Sequence, residues 1–191
     1  DVRLKFLEKY QNKTLITFNL RNQKFYDENR ISERNVDSSQ YFDLIRFLVK
    51  NKFSICFTHD PGQGLLENLK KNNFEYELFD KRDKAGQFAN LLSLICCNYL
   101  IGSSTGASVI PLMNNIPVYW TNIHTPFWIP LKKNDLVLWK KFKYPNGNLL
   151  TMKEYLNEKL EDDYIKQKFI TLNKIKIINN TSEELLNGFK Y

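Results

Sequence analysis

Several residue types are scarce in this chain, and each scarcity closes off a class of protein. Cysteine occurs only as Cys56, Cys96 and Cys97 among 191 residues. An odd number with an adjacent pair gives no disulfide framework. All three sit in apolar runs, where a free thiol acts as a small hydrophobe, so a reducing, cytoplasmic setting is expected. Seven glycines and six prolines are too few for a fibrous or loop-rich scaffold. No apolar run nears the ~18 residues of a membrane span, and no leader pattern opens the chain. The first residue is Asp1 rather than an initiator Met, so a fragment of a longer protein is expected. Histidine appears only as His59 and His124. Neither has a partner at metal-ligand spacing, so no metal site and no bound cofactor are expected. Repeats, low-complexity tracts, a Walker loop, a dinucleotide fingerprint and a nucleophile elbow are all missing.

What remains is an ordinary globular composition, 42% hydrophobic and 26% charged, too apolar for disorder. The net charge of +7 admits three kinds of partner: nucleic acid, an anionic membrane face, or phosphorylated ligands. The cations are spread from Lys5 to Lys190 without an arginine-rich tract. Most of them therefore read as a solvated surface. No specific nucleic-acid partner is expected, whereas peripheral contact with the inner face of a membrane remains open.

Hydrophobic periodicity alternates between the two regular structures. Helical spacing over 2–11 is followed by an apolar, β-rich run at 14–18 and a long polar stretch from Arg21 to Gln40. A helical stripe over 41–49 leads to a strand at 53–58, a turn at 61–64, a helix at 65–69 and a strand at 74–79. A strongly apolar helix at 87–97, a strand at 98–102, a helix at 107–114 and a strand at 116–120 complete the series. Past Trp120 the pattern loosens. Capping boxes at Thr151–Glu154 and Thr181–Glu184 predict two helices, the second closed by Gly188, with a sixth strand at 174–178. Such alternation predicts an α/β fold: one doubly wound, Rossmann-like parallel sheet with helices on both faces, spanning 1–191 as a single domain.

In such a sheet, ligands bind beyond the carboxyl ends of the strands where strand order reverses. With the order 3-2-1-4-5-6, that point lies between the first and fourth strands. The first ends at Asn19-Leu20-Arg21 and the fourth at Gly102-Ser103-Ser104-Thr105-Gly106, so topology brings two distant segments together. A loop of small residues before a helix suits an anion, through free N–H groups and the helix dipole. Ser104 or Thr105 acting only as a helix cap is the plainer reading. The Arg21 guanidinium suits a diphosphate gripped by two parallel hydrogen bonds, or an ordinary surface ion pair. Arg34 and Asn35 leave the same strand end and fold back or lie exposed. Asp37 either bonds a sugar hydroxyl or caps the helix at Tyr41. His59 and Asp60 end the second strand, facing a base or sugar. Phe127, Trp128 and Trp139 stack on a ligand ring or simply pack.

These residues resemble a family of bacterial glycosyltransferases of GT-B architecture, distantly similar to fucosyltransferases. The likeness lies in Asn19-Leu20-Arg21, the Arg34-Asn35 pair before a Tyr41-led helix, and the Gly102–Gly106 loop. Asn134-Asp135-Leu136 through Lys140, Gly147-Asn148-Leu149-Leu150-Thr151 and Glu154 extend it, so that it covers about residues 14–188. It implies the donor-binding half of a metal-independent enzyme, the C-terminal half of a longer one, acting in glycan or surface polysaccharide synthesis. Arg21 would lie on the donor diphosphate with Ser103–Thr105 around the same phosphates. Asn19 stands where relatives carry His, which removes a proton shuttle at that position.

The expected function is transfer of a sugar from a nucleotide-sugar donor to an acceptor, with Arg21 stabilising the leaving diphosphate. Asp27, Glu28 and Asp37 are the candidate bases. The alternatives are a nucleotide-sugar epimerase or phosphotransferase, which needs a carboxylate pair or base at the crevice, and a non-catalytic nucleotide- or carbohydrate-binding module. A nucleic-acid binder is the third, motivated by charge alone. Sugar, base, acceptor and oligomeric state are not legible.

Overall fold

The computed structural model describes residues 1–21, 34–79, 82–103, 105–125 and 131–190. Its centre is a six-stranded parallel sheet in the order β3-β2-β1-β4-β5-β6. The strands are β1 (Leu15–Asn19), β2 (Ser54–Phe57), β3 (Glu77–Leu78), β4 (Tyr99–Gly102), β5 (Val118–Ile123) and β6 (Leu136–Trp139). Every residue of β1 and of β5 is buried, as strands covered on both faces must be.

Side-chain alternation sorts the strands between two cores. Ile16, Phe18, Ile55, Phe57, Ile101 and Tyr119 point to one face. They meet α2 (Phe42–Lys50), α3 (Gln63–Lys71) and α8 (Ser182–Lys190) through Leu44, Leu48, Leu65 and Leu185. Leu15, Cys56, Leu100, Val118 and Trp120 point to the other face. There they meet Phe6 of α1 (Val2–Tyr10) and Ala89 and Leu92 of α4 (Lys84–Ile95). Of the described residues, no helix is long and apolar enough to cross a membrane.

The chain beyond β5 departs from the sequence reading. The sixth strand of the sheet is Leu136–Trp139, not Lys174–Ile178. Four consecutive apolar or aromatic residues have no alternation to reveal a strand. What seats β6 is polar: Asp135 accepts hydrogen bonds from Val118 N at 2.9 Å, Lys132 N at 3.1 Å and Trp120 Nε1 at 3.3 Å. The strand expected at 174–178 exists as β8 (Lys176–Ile178), but it pairs antiparallel with β7 (Lys141–Lys143) in a separate two-stranded ribbon. Phe142 on the ribbon packs with Tyr155 of α6 (Met152–Asn157), Leu160 and Ile175 as a third small core. A helix that periodicity had not signalled, α7 (Asp163–Leu172), also lies in this region, opened by the Asp162 carboxylate.

Two end signals also read differently in three dimensions. Gly188 does not close the last helix, which continues to Lys190. Its missing side chain makes room for Tyr119, whose hydroxyl lies 2.3 Å from where a Cβ would stand. Past Gly106 the chain makes a 3-10 turn, Gly106–Ser108, and then a helix of only five residues, α5 (Val109–Met113). The dipole contribution expected behind the serine loop is correspondingly small.

A buried polar chain crosses the carboxyl end of β5. Thr121 Oγ1 donates to Gly102 O at 3.2 Å, so it accepts from the Tyr41 hydroxyl at 2.6 Å. Tyr41 in turn accepts from Asn122 Nδ2 at 2.9 Å, and each hydroxyl gives one proton and takes one. Asn122 has a φ of 55° at an irregularity in β5, a conformation Asn tolerates better than most residues. There it exchanges bonds with Asn180: Asn122 N to Asn180 Oδ1 at 2.6 Å and Asn180 N to Asn122 Oδ1 at 2.7 Å. Asn180 Nδ2 also reaches Trp139 O at 2.8 Å. The loop ahead of α8 is thereby fastened to both strands at this end of the sheet.

Candidate functional site

The two segments singled out at the strand-order reversal are adjacent. Asn19 stands in register with Gly102. Ser103 N donates to Asn19 O at 3.1 Å, and Arg21 N donates to Ser103 Oγ at 3.0 Å. Arg21 O accepts from Val36 N at 2.8 Å, which returns the polar stretch to the same edge.

Between these elements lies a crevice of about 260 Å³. Arg21 and Arg34 supply its cations, and Asn19, Thr58, His59 and Asn90 its other polar walls. Thr105, Gly106 and Ala107 line the side of the short-residue loop, with Leu94 behind them. Two arginines and a loop of small residues line one cleft, a combination whose chemistry suits an anion, because guanidinium forks match phosphate oxygens and small residues admit close approach.

The remaining expected residues hold this edge together. Buried Ser103 serves as the acceptor for Arg21 N and as the donor to Asn19 O. Its own N–H is engaged by the protein. The hydroxyl of Thr105 faces Ser108 Oγ at 3.3 Å and makes no cap bond to the following turn. The two ring nitrogens of His59 sit against Thr58 Oγ1, at 2.9 Å from Nδ1, and against Leu20 O through Nε2. A carbonyl only accepts, so Nε2 carries a proton toward Leu20 O, and Nδ1 shares a hydrogen bond with the Thr58 hydroxyl. The imidazole thus braces the last turn of β1 while exposing one edge to the crevice.

Asp37, Asp60 and Asn35 are not among the residues lining the crevice. Asp37 caps the 3-10 turn Ser38–Tyr41, accepting from Ser39 N at 3.0 Å and Ser39 Oγ at 2.6 Å, the plainer of its two readings. Asp60 accepts from Gly62 N at 2.8 Å in a local turn. Asn35 offers its carbonyl to Lys140 Nζ at 2.6 Å. Ser104, Asp27, Glu28, Phe127 and Trp128 lie outside the described residues. Among the described residues, no carboxylate lines the crevice and no cluster of His, Cys, Asp or Glu could hold a metal ion.

Sequence reasoning missed Asn90. It sits in α4 among Phe88, Leu91 and Leu92, and its Oδ1 is buried with no hydrogen-bond partner among the described residues. The signal was an Asn within the apolar run Phe88–Leu92 of the helix, since a buried amide oxygen without a partner costs about 1–3 kcal/mol and invites a ligand.

No protein-family model matches the sequence, and no curated protein matches it. Solved structures do. One is a glycosyl transferase family 9 protein of Veillonella parvula, with a TM-score of 0.54 at 15% identity over 83% of this chain and 42% of that one. Another is the E. coli ADP-heptose LPS heptosyltransferase II, with a TM-score of 0.50 at 14% identity over 88% of this chain and 52% of that one. This chain spans about half the length of those proteins. At such identities the likeness is one of fold alone: a parallel α/β sheet with helices on both faces.

Proposed function

We propose that this chain is the donor-binding part of a glycosyltransferase that takes a sugar from a nucleoside diphosphate and passes it to an acceptor. The observation that carries the reading is the meeting of Arg21 and the Thr105–Gly106 side of the loop on one crevice at the switch point of the sheet. The heptosyltransferase it resembles in fold is named for ADP-heptose, a sugar on a nucleoside diphosphate. The family 9 protein is named as a glycosyl transferase.

The chemistry follows from charge. As the glycosidic bond to the diphosphate breaks, negative charge builds on the leaving phosphate oxygens. Fixed cations stabilise that charge by several kcal/mol when water is excluded. Arg21, anchored by its backbone to Ser103 and Val36, is the residue assigned to this role, with Arg34 beside it. A metal-independent route suits cations of this kind. The acceptor and its base come from outside the described crevice.

A second reading has an observation behind it. With no carboxylate among the described residues of the crevice, a nucleotide- or carbohydrate-binding module without turnover has the same walls. Release of nucleoside diphosphate from a panel of nucleotide sugars separates the two readings. Arg21→Ala tests both, because the backbone bonds at residue 21 survive the substitution. Nucleoside-diphosphate affinity is expected to fall at least about thirtyfold, from the ~2 kcal/mol or more that a charge-assisted pair carries. Unchanged affinity in titration calorimetry overturns the assignment.

A further inference from the structure

A second pocket of about 240 Å³ opens at the same carboxyl edge of the sheet, two strands away. Ile123 closes β5 and Trp139 closes β6, and both line it. So do Phe142 of the ribbon, Met152 and Tyr155 of α6, and the buried His124. Protein interiors leave few voids larger than a water molecule, and an apolar cavity of about 150 Å³ already accepts a benzene ring. This pocket therefore has room for one ring system against aromatic walls.

Its walls are preformed. The Asn122–Asn180 exchange and the Asn180 bond to Trp139 O fix the strand ends beneath it. Tyr155 Oη donates to Leu160 O at 2.8 Å, which holds its ring in place. Lys140, on the pocket wall, donates to the carbonyl of Asn35, next to Arg34 on the wall of the first crevice. A single hydrogen bond thus joins the two sites.

Their spacing is set by the sheet. The crevice sits over the β1–β4 seam and this pocket over the β5–β6 seam, two strand spacings or about 10 Å apart. A diphosphate with a ring group joined to it has comparable length. The first site is cationic and polar, the second apolar and aromatic.

We propose that the second pocket seats the ring group carried on the diphosphate held at Arg21, so that one ligand spans both sites along the sheet edge. This rests on the proposed donor site. The ring belongs either to the nucleoside or to the sugar, and the probes distinguish them.

The test is titration calorimetry of wild type, Met152→Trp and Leu150→Trp. Each substitution places an indole at the pocket from a lining position that is not fully buried, and the second plug guards against a misfold peculiar to the first. The probes are inorganic pyrophosphate, then ADP, UDP and GDP, then their glucose conjugates. Pyrophosphate is expected to bind all three proteins equally. A ring-bearing ligand is expected to lose at least tenfold in both plugged variants. Loss already with a nucleoside diphosphate identifies the nucleoside ring; loss only with a conjugate identifies the sugar. Equal binding of every ring-bearing ligand to all three proteins overturns the inference while leaving the crevice intact. Failure of pyrophosphate and every nucleotide to bind wild type overturns the donor site and this inference with it.

Discussion

The same substitution, glycine to alanine in a helix, should have opposite signs at Gly188 and Gly64. On propensity alone each change gains up to about 1 kcal/mol. At Gly64, in the first turn of α3, a Cβ would meet nothing within 4 Å, so that gain stands. At Gly188 a Cβ would lie 2.3 Å from Tyr119 Oη and 3.3 Å from both Tyr119 Cζ and Leu138 Cδ1. Tyr119 is fully buried and donates to Leu185 O at 3.0 Å, so its ring cannot swing out to solvent. Overpacking of this kind costs about 1–3 kcal/mol, and losing the bond of a buried hydroxyl costs about 1–3 kcal/mol more. Set against the propensity gain, the net loss at Gly188 is about 1–5 kcal/mol. At roughly 2–4 °C per kcal/mol for a chain of this size, the midpoint drops by about 3 °C or more. Denaturant titrations of Gly188→Ala and Gly64→Ala against wild type read both signs at once. A Gly188→Ala protein as stable as wild type would refute the close approach of α8 to β5.

The other expectations concern the two sites and their scaffold. Arg21→Ala abolishes most diphosphate affinity without unfolding the protein, as calorimetry beside a thermal melt will show. Plugging the second pocket through Met152→Trp weakens ring-bearing ligands while sparing pyrophosphate. Asn180→Ala strips the bonds to Asn122 N and Trp139 O. It should cost about 2–4 kcal/mol in denaturant unfolding, the penalty of leaving buried backbone groups unpaired. Raising the pH should unfold the protein between about 10 and 12. Burial pushes Tyr41 and Cys56 up to about 12. Because these folded values exceed the unfolded ones, the stabilisation is complete below the unfolded values and is lost as pH rises through the folded ones. Exposed tyrosines such as Tyr164 ionise independently of folding, so the readout is the last step of phenolate absorbance, which should rise in step with loss of far-ultraviolet dichroism; completion of phenolate formation before unfolding would contradict the buried network.

The residues alone determined the layered part of this protein. Apolar runs such as Leu15–Phe18 and Tyr99–Ile101, separated by helical stripes and short turns, leave few arrangements that bury both faces of every strand. The strand order then brings Arg21 to the Gly102–Gly106 loop without any contact being known in advance. Both capping boxes were legible because they are local, four-residue devices. The rest was settled by partners distant in sequence. Leu136–Trp139 is a sheet strand because Asp135 ties it to β5. Gly188 is an internal helix residue because Tyr119 fills the space beside it. Asp37 is a cap because Ser39 reaches it first. The second pocket belongs wholly to tertiary structure, since its walls come from β5, β6, the ribbon and α6, and no run of sequence contains them together. Local patterns register which face of an element must be buried. They carry no record of which other element will bury it, and that choice placed Asn90 on the first site and Phe142 on the second.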